Sequence, residues 1–117
     1  TKGDTMKMYV VVRSDLSAGM QIAQSCHALR LFADEHPESD RTWYEQSNNL
    51  VVLSVSSKED LAKLAYDMTN LGIEVSSFRE PDLQNDLTAI AIEPAAGRHL
   101  SKLPLAMKDV LICRRAA

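Results

Sequence analysis

Residues 10–30 read VVVRSDLSAGMQIAQSCHALR and bring three reactive groups into one short stretch: the Asp15 carboxylate, the Gln24 carboxamide and the His27 imidazole. An imidazole exchanges protons near neutral pH, an amide donates and accepts hydrogen bonds, and a carboxylate fixes a cation or accepts donors. Together they can hold a polar ligand. The elements that must position them follow from the pattern around them. Residues 8–12 form a continuous, mostly β-branched apolar run, as a central strand covered on both faces requires. Arg13-Ser14-Asp15 ends that run with charge. Ser17 offers an N-cap and Gly19 a flexible first turn, which predicts a helix over residues 18–34. Ligands of open α/β sheets usually sit where strands end and helices begin, and Asp15, Gln24 and His27 fall near that place. On the helix, the spacing of Ile22, Cys26, Leu29 and Ala33 predicts the side packed on the sheet, with Met20, Gln24, His27 and Leu31 opposite. Cys26 and His27 point about a hundred degrees apart and so cannot act as a nucleophile–base pair.

Pro37 blocks continuation of the first helix, and residues 37–49 read as a polar connection with a short helical turn docking Trp43. Residues 50–56, LVVLSVS, form a second strand. Ser57 with an acid three residues on is a helix start, and Leu61, Leu64, Ala65, Met68 and Leu71 share one face of the helix that follows. Gly72 is a good residue to end it. Residues 73–78 and 87–92 predict a third and fourth strand, close enough to pair antiparallel across the acidic connection 79–86. A short helix over 95–103 stops before Pro104. The tail holds a last apolar group, Val110-Leu111-Ile112, which the pattern does not place. Strand–helix–strand units favour parallel pairing with right-handed crossovers. The fold class is therefore α/β: a single domain, residues 8–103, with a mixed four-stranded sheet flanked by helices on its faces. Residues 1–7 are expected to be loose and residues 104–117 to form a tail.

The 117 residues are enough for one compact core. A net charge of −3 argues against strong indiscriminate nucleic-acid binding, although it leaves room for a local basic patch. Two cysteines suggest neither a disulfide framework nor a zinc site, and a reduced, cytoplasmic compartment is the default expectation. No apolar run spans a bilayer and no signal peptide is visible, so no membrane partner is expected.

The chain resembles the type 2 peptidyl-tRNA hydrolase family. Val11-Val12-Arg13-Ser14-Asp15-Leu16 followed by Ile22-Ala23-Gln24-Ser25-Cys26-His27-Ala28 is similar to the family's V-R-x-D-L and A-Q-x-x-H-A segments. Phe78-Arg79-Glu80 and Thr88-Ala89-Ile90-Ala91-Ile92-Glu93-Pro94 are similar to its R-D and T-V-L-A-I-G-P segments. The resemblance implies hydrolysis of the ester between a peptide and the terminal ribose of tRNA, with no metal or other cofactor. The family usually carries a lysine where this chain has Met20, and its Asp is matched here by Glu80, unless Asp82 fills that role.

Ester hydrolysis needs an activated water and a donor for the developing oxyanion. On the resemblance, Glu80 or Asp82 holds or deprotonates the water, Thr88 orients it, Gln24 supplies an amide donor, and His27 does acid–base work or contacts substrate. Asp15 completes the catalytic candidates. Arg13, Arg30 and Arg79 are candidate tRNA contacts, together with Arg98 and Lys102, and could replace part of the charge lost at Met20. Each residue also has a plainer reading. A helix-face histidine often packs or caps, acids in a polar loop are often solvated turn residues, and Thr88 suits any strand. Three expectations therefore stand: an esterase acting on peptidyl-tRNA; a catalytically degenerate homologue that binds RNA, a nucleotide or a protein; and an interaction domain or homodimer with no retained site.

Overall fold

The computed structural model describes residues 6–108. Strand β1 (Lys7–Arg13) leads into helix α1 (Ala18–Glu35), helix α2 (Pro37–Gln46), strand β2 (Asn49–Val55), helix α3 (Lys58–Asn70), strand β3 (Val75–Glu80) and strand β4 (Asp86–Ile92). Two 3-10 segments, Pro81–Leu83 and Pro94–His99, follow β3 and β4. The sheet order is β2-β1-β4-β3, with β1 parallel to β2 and β4 antiparallel to both β1 and β3. This is a single compact α/β domain with a mixed four-stranded sheet, as the pattern predicts. The two apolar runs become the two central strands: Val10, Val11 and Val12 of β1 and Leu87 to Ile92 of β4 are buried.

Both sheet faces are covered. On one face Met8, Val10, Val12, Ala89 and Ala91 pack with Ala28 and Phe32 of α1 and Trp43 of α2. On the other, Val11, Leu53, Ile90 and Ile92 pack with Leu61 and Met68 of α3. Helix α3 is capped as the sequence predicts, the Ser57 hydroxyl accepting from the Asp60 amide. It ends at Gly72, whose φ of 80° is the left-handed conformation that glycine adopts without strain.

Several expectations change. Pro37 does end α1, but it also sits in the first turn of a full ten-residue helix rather than a short turn. The docked residue is Trp43, whose indole N–H donates to the Asn49 carbonyl at 2.7 Å. Leu71, expected on the buried face of α3, is exposed. Residues 95–103 form no α-helix; the 3-10 segment Pro94–His99 stands there. Lys7 already belongs to β1. Part of the tail is placed: Leu105 bridges Leu53 antiparallel, so residues 104–106 run along the outer edge of β2. The apolar group at 110–112 lies outside the described residues.

The largest correction concerns α1. The sheet-facing residues are Gln21, Gln24, Ala28 and Phe32, whereas Ile22 and Cys26 are exposed. Polar side chains are buried because partners wait for them. The Gln21 amide donates to the Leu16 carbonyl at 2.8 Å and so ties the β1–α1 connection to the helix.

Candidate active site

Gln24 is only 1 % exposed, so its carboxamide must find partners inside the protein. It finds two. Its Nε2 donates to Glu80 Oε1 at 2.7 Å, and its Oε1 accepts from the Thr88 hydroxyl at 2.5 Å. The second contact depends on an irregularity in the sheet. The β3–β4 register shifts between Phe78 and Arg79, whose partners are Ala89 and Leu87, leaving Thr88 between them. Such a bulge re-aims a side chain. Here it turns Thr88 toward α1, on the face that Ala89 also occupies.

Glu80 stands at the end of β3 and caps the 3-10 turn Pro81–Leu83. Its Oε2 accepts from the Asp82 backbone amide at 3.0 Å while Oε1 accepts from Gln24. These two N–H donors, the Asp82 amide first, hold the carboxyl below its ordinary titration range, with a smaller contribution from nearby His27. Glu80 is therefore ionised throughout the neutral range. His27, one turn along α1 from Gln24, is exposed and stacks on Phe78 with ring centroids 4.8 Å apart at 22°. The exposed imidazole thus stacks on Phe78, two residues before the fixed carboxylate on β3.

Arg13 and Asp15 do not join this group. The Arg13 guanidinium binds both Asp15 oxygens, Nε to Oδ1 at 2.9 Å and Nη2 to Oδ2 at 3.0 Å, and donates Nη1 to the Leu87 carbonyl at 3.1 Å. Asp86 lies 3.9 Å from Arg13 and 3.2 Å from Lys58. The Asp15 carboxyl is lowered chiefly by its hydrogen bonds from Arg13, and the guanidinium is correspondingly raised. This second cluster ties the ends of β1 and β4 to the start of α3.

Of the residues singled out in the sequence, the fold brings together Gln24, His27, Glu80 and Thr88. Asp82 contributes its backbone amide and leaves its side chain exposed. Thr88 is fully buried and donates to Gln24, so it steadies that amide rather than a water. Arg30 is exposed on α1, and Arg79 is exposed with one long 3.4 Å contact to the Asn85 carbonyl. Met20 is half-buried, its amide capped by Ser17 at 3.3 Å. Sequence reasoning missed Phe78 as the platform for His27, the Asp82 amide as the donor to Glu80, and the Leu87 carbonyl as an Arg13 partner. None of the three has a signature in residue type. Cavities of about 480 Å³ and 310 Å³ share Ser14, Ser54 and Pro104 in their linings, which include neither His27 nor Glu80. No helix among the described residues is long and apolar enough to cross a membrane.

Comparison with known proteins adds an independent line. The chain is 30% identical over 108 residues to a peptidyl-tRNA hydrolase of Methanocaldococcus jannaschii, covering 84% of this chain and 94% of that relative. It is 29% identical over 109 residues to a peptidyl-tRNA hydrolase of Methanococcus vannielii, covering 85% and 94%. Among solved structures, a protein of unknown function from Agrobacterium tumefaciens superposes with a TM-score of 0.62 at 15% identity, covering 86% of this chain and 97% of that one, which shows a shared fold. The family model for "Peptidyl-tRNA hydrolase PTH2" matches residues 6–108, nearly the whole chain, and so this protein belongs to the peptidyl-tRNA hydrolase PTH2 family.

Proposed function

We propose that this chain hydrolyses the ester linking a peptide to the terminal ribose of tRNA, at the surface formed by His27 and Glu80. The observation that carries the reading is the relay from Thr88 through Gln24 to Glu80, which fixes a carboxylate two residues along β3 from Phe78, the platform on which the exposed His27 stacks. In this reading His27 takes the proton from an attacking water, and the Glu80 charge stabilises the imidazolium that forms. His27 then returns the proton to the departing ribose oxygen. Glu80 is a poor proton acceptor itself, because two donors already stabilise its ionised form. Gln24 and Thr88 act through Glu80 as positioning residues. Family membership supports the substrate class. Arg30, one turn along α1 from His27, and Arg79, the residue before Glu80 on β3, are both exposed and are the proposed phosphate contacts.

The alternative, a homologue that binds tRNA without turnover, draws on Met20 standing where the family usually has a lysine, since losing a cation at a polyanion site weakens binding and transition-state stabilisation together. Purified protein incubated with peptidyl-tRNA separates the two. Release of free peptide and tRNA is expected, and a Met20→Lys variant should accelerate it. Binding with no release at low or high salt would overturn the hydrolase reading.

A further inference from the structure

The two edges of the sheet differ. Along the outer edge of β2 lies the chain's own segment 104–106. The Ser54 amide donates to the Pro104 carbonyl at 3.0 Å, and the Ala106 amide to the Val52 carbonyl at 2.9 Å. Strand β3 is the other edge, and no strand among the described residues pairs with its outer side. A bare edge offers main-chain donors and acceptors to any extended chain, which is why most are covered or blunted.

The register shows which groups those are. Just before β3 begins, the Glu74 carbonyl accepts from the Glu93 amide at 3.1 Å. Main-chain groups alternate sides along an antiparallel strand, so Ser76 and Phe78 also point toward β4, while Val75, Ser77 and Arg79 point outward. Three contacts agree. The Phe78 carbonyl meets the Thr88 hydroxyl of β4 at 3.4 Å, the Val75 carbonyl meets His36 Nε2 at 3.4 Å, and the Leu87 carbonyl, opposite Arg79, is turned to Arg13 of β1. His36 thus closes one end of the edge. No backbone group among the described residues bonds the outward amide or carbonyl of Ser77. Ser77 directly precedes Phe78, on which His27 stacks, and Glu80 follows two residues on.

We propose that the peptide of a peptidyl-tRNA binds as an added strand along this edge, main chain to main chain, with Ser77 as the central contact. The proposal rests on the hydrolase reading and names how the peptide half of that substrate is held. Covalent geometry selects the occupant. A peptide whose ester carbonyl lies at His27 advances about 3.3 Å per residue, so roughly its last three residues lie within about 10 Å of that imidazole. The edge ends at Glu80, where Pro81 begins a 3-10 turn, so the peptide runs back toward Val75 and is therefore parallel to β3. In a parallel pair the Ser77 amide donates to one peptide carbonyl, and the Ser77 carbonyl accepts from the amide two residues further on. Such bonds read no side chain, which suits a substrate whose peptide can carry any sequence.

The test compares tetra-alanyl-tRNA with the same ester N-methylated at the second and third residues of its peptide. Methylation removes the donors and puts methyl groups into the space between strands, so kcat/KM of the wild type should fall at least about tenfold. Ser77→Pro removes the outward amide and obstructs the edge, at a position where proline is tolerated because that N–H serves no neighbouring strand. It should lower kcat/KM on the unmethylated ester and shrink the penalty of methylation to within about threefold. The wild-type comparison stands whether or not the variant folds. A wild type that cleaves both esters equally well would overturn the proposal while leaving the hydrolase reading intact, as would a folded Ser77→Pro that keeps the full penalty. No release from either ester by the wild type would overturn that reading, and the added strand with it.

Discussion

Asp15 and Glu80 are both held ionised, by different means and with different consequences. Asp15 is clamped by a guanidinium that also binds the Leu87 carbonyl, so its charge is neutralised where it stands and the pair braces the end of β1. Glu80 is held by two neutral N–H donors, from Gln24 and Asp82, and keeps a net negative charge beside His27. Sequence order places Arg13, Asp15, Gln24 and His27 in one stretch, but the fold divides them between a structural clamp and a charged surface. A carboxylate stabilised by a fixed cation has little left to offer a neighbour, whereas one stabilised by dipoles still acts on the groups around it.

The contrast can be broken at several points. His27→Ala should have the largest effect, a loss of roughly 10²- to 10⁴-fold in kcat on peptidyl-tRNA, the range for removing a general acid–base. Glu80→Gln should lower kcat by about 10- to 100-fold as the charge facing the imidazolium is lost. Its pH dependence carries a definite sign. A depressed carboxyl is fully charged above its ordinary value of about 4.3 and loses that charge only as pH falls through its lowered folded value. In a His27→Ala background the further change Glu80→Gln should alter the residual rate by a factor that stays flat from about pH 6 to 8, where the Glu80 carboxylate is wholly ionised. A factor that changes with pH there would show that Glu80 itself exchanges the proton.

Gln24→Leu keeps the shape of the side chain but leaves the Thr88 hydroxyl only its long 3.4 Å contact to the Phe78 carbonyl and Glu80 without one of its donors. It should reduce stability by about 1–3 kcal/mol, read from the urea midpoint, and reduce turnover as well. Arg13→Ala sharpens the comparison from the other side. It should cost about 1–2 kcal/mol of stability through the lost contacts with Leu87 and Asp15, with kcat within about threefold of wild type. Because the folded-state pKa of Asp15 is depressed, the clamp's contribution is present above the ordinary value of about 3.9 and lost as pH falls through the folded value. Acid unfolding of Arg13→Ala should accordingly show a smaller stability change across that range. Lys58→Ala, at a half-exposed ion pair, should change stability by less than about 0.5 kcal/mol.

Much of the fold was legible in residue pattern because its strands and α3 follow the rule that apolar residues go inside. Unbroken apolar runs marked β1 and β4 as central, and a strand–helix–strand order implied the parallel pair. The same rule failed on α1. Gln21 and Gln24 are buried for the carbonyl, carboxylate and hydroxyl that meet them, while Ile22 and Cys26 remain outside, so apolar periodicity pointed the helix the wrong way. Helix α2 was underestimated for a related reason, since Trp43 alone among its ten residues is buried and leaves no periodicity to read. At the site, residue types flagged Gln24, His27, Glu80 and Thr88, but their contacts depend on a register shift beside Thr88 and on a backbone amide at Asp82. Neither is written in side-chain identity. The separation of Arg13 and Asp15 from the others is likewise set by which sheet face each strand residue meets.

The most direct test of the account measures single-turnover cleavage of peptidyl-tRNA by His27→Ala and Arg13→Ala side by side, each shown to be folded at the assay temperature. A loss of at least about 100-fold for His27→Ala, with Arg13→Ala within about threefold of wild type, is the predicted result. Equal losses in the two variants, or a larger loss in Arg13→Ala, would place the chemistry at the β1 clamp and contradict the account.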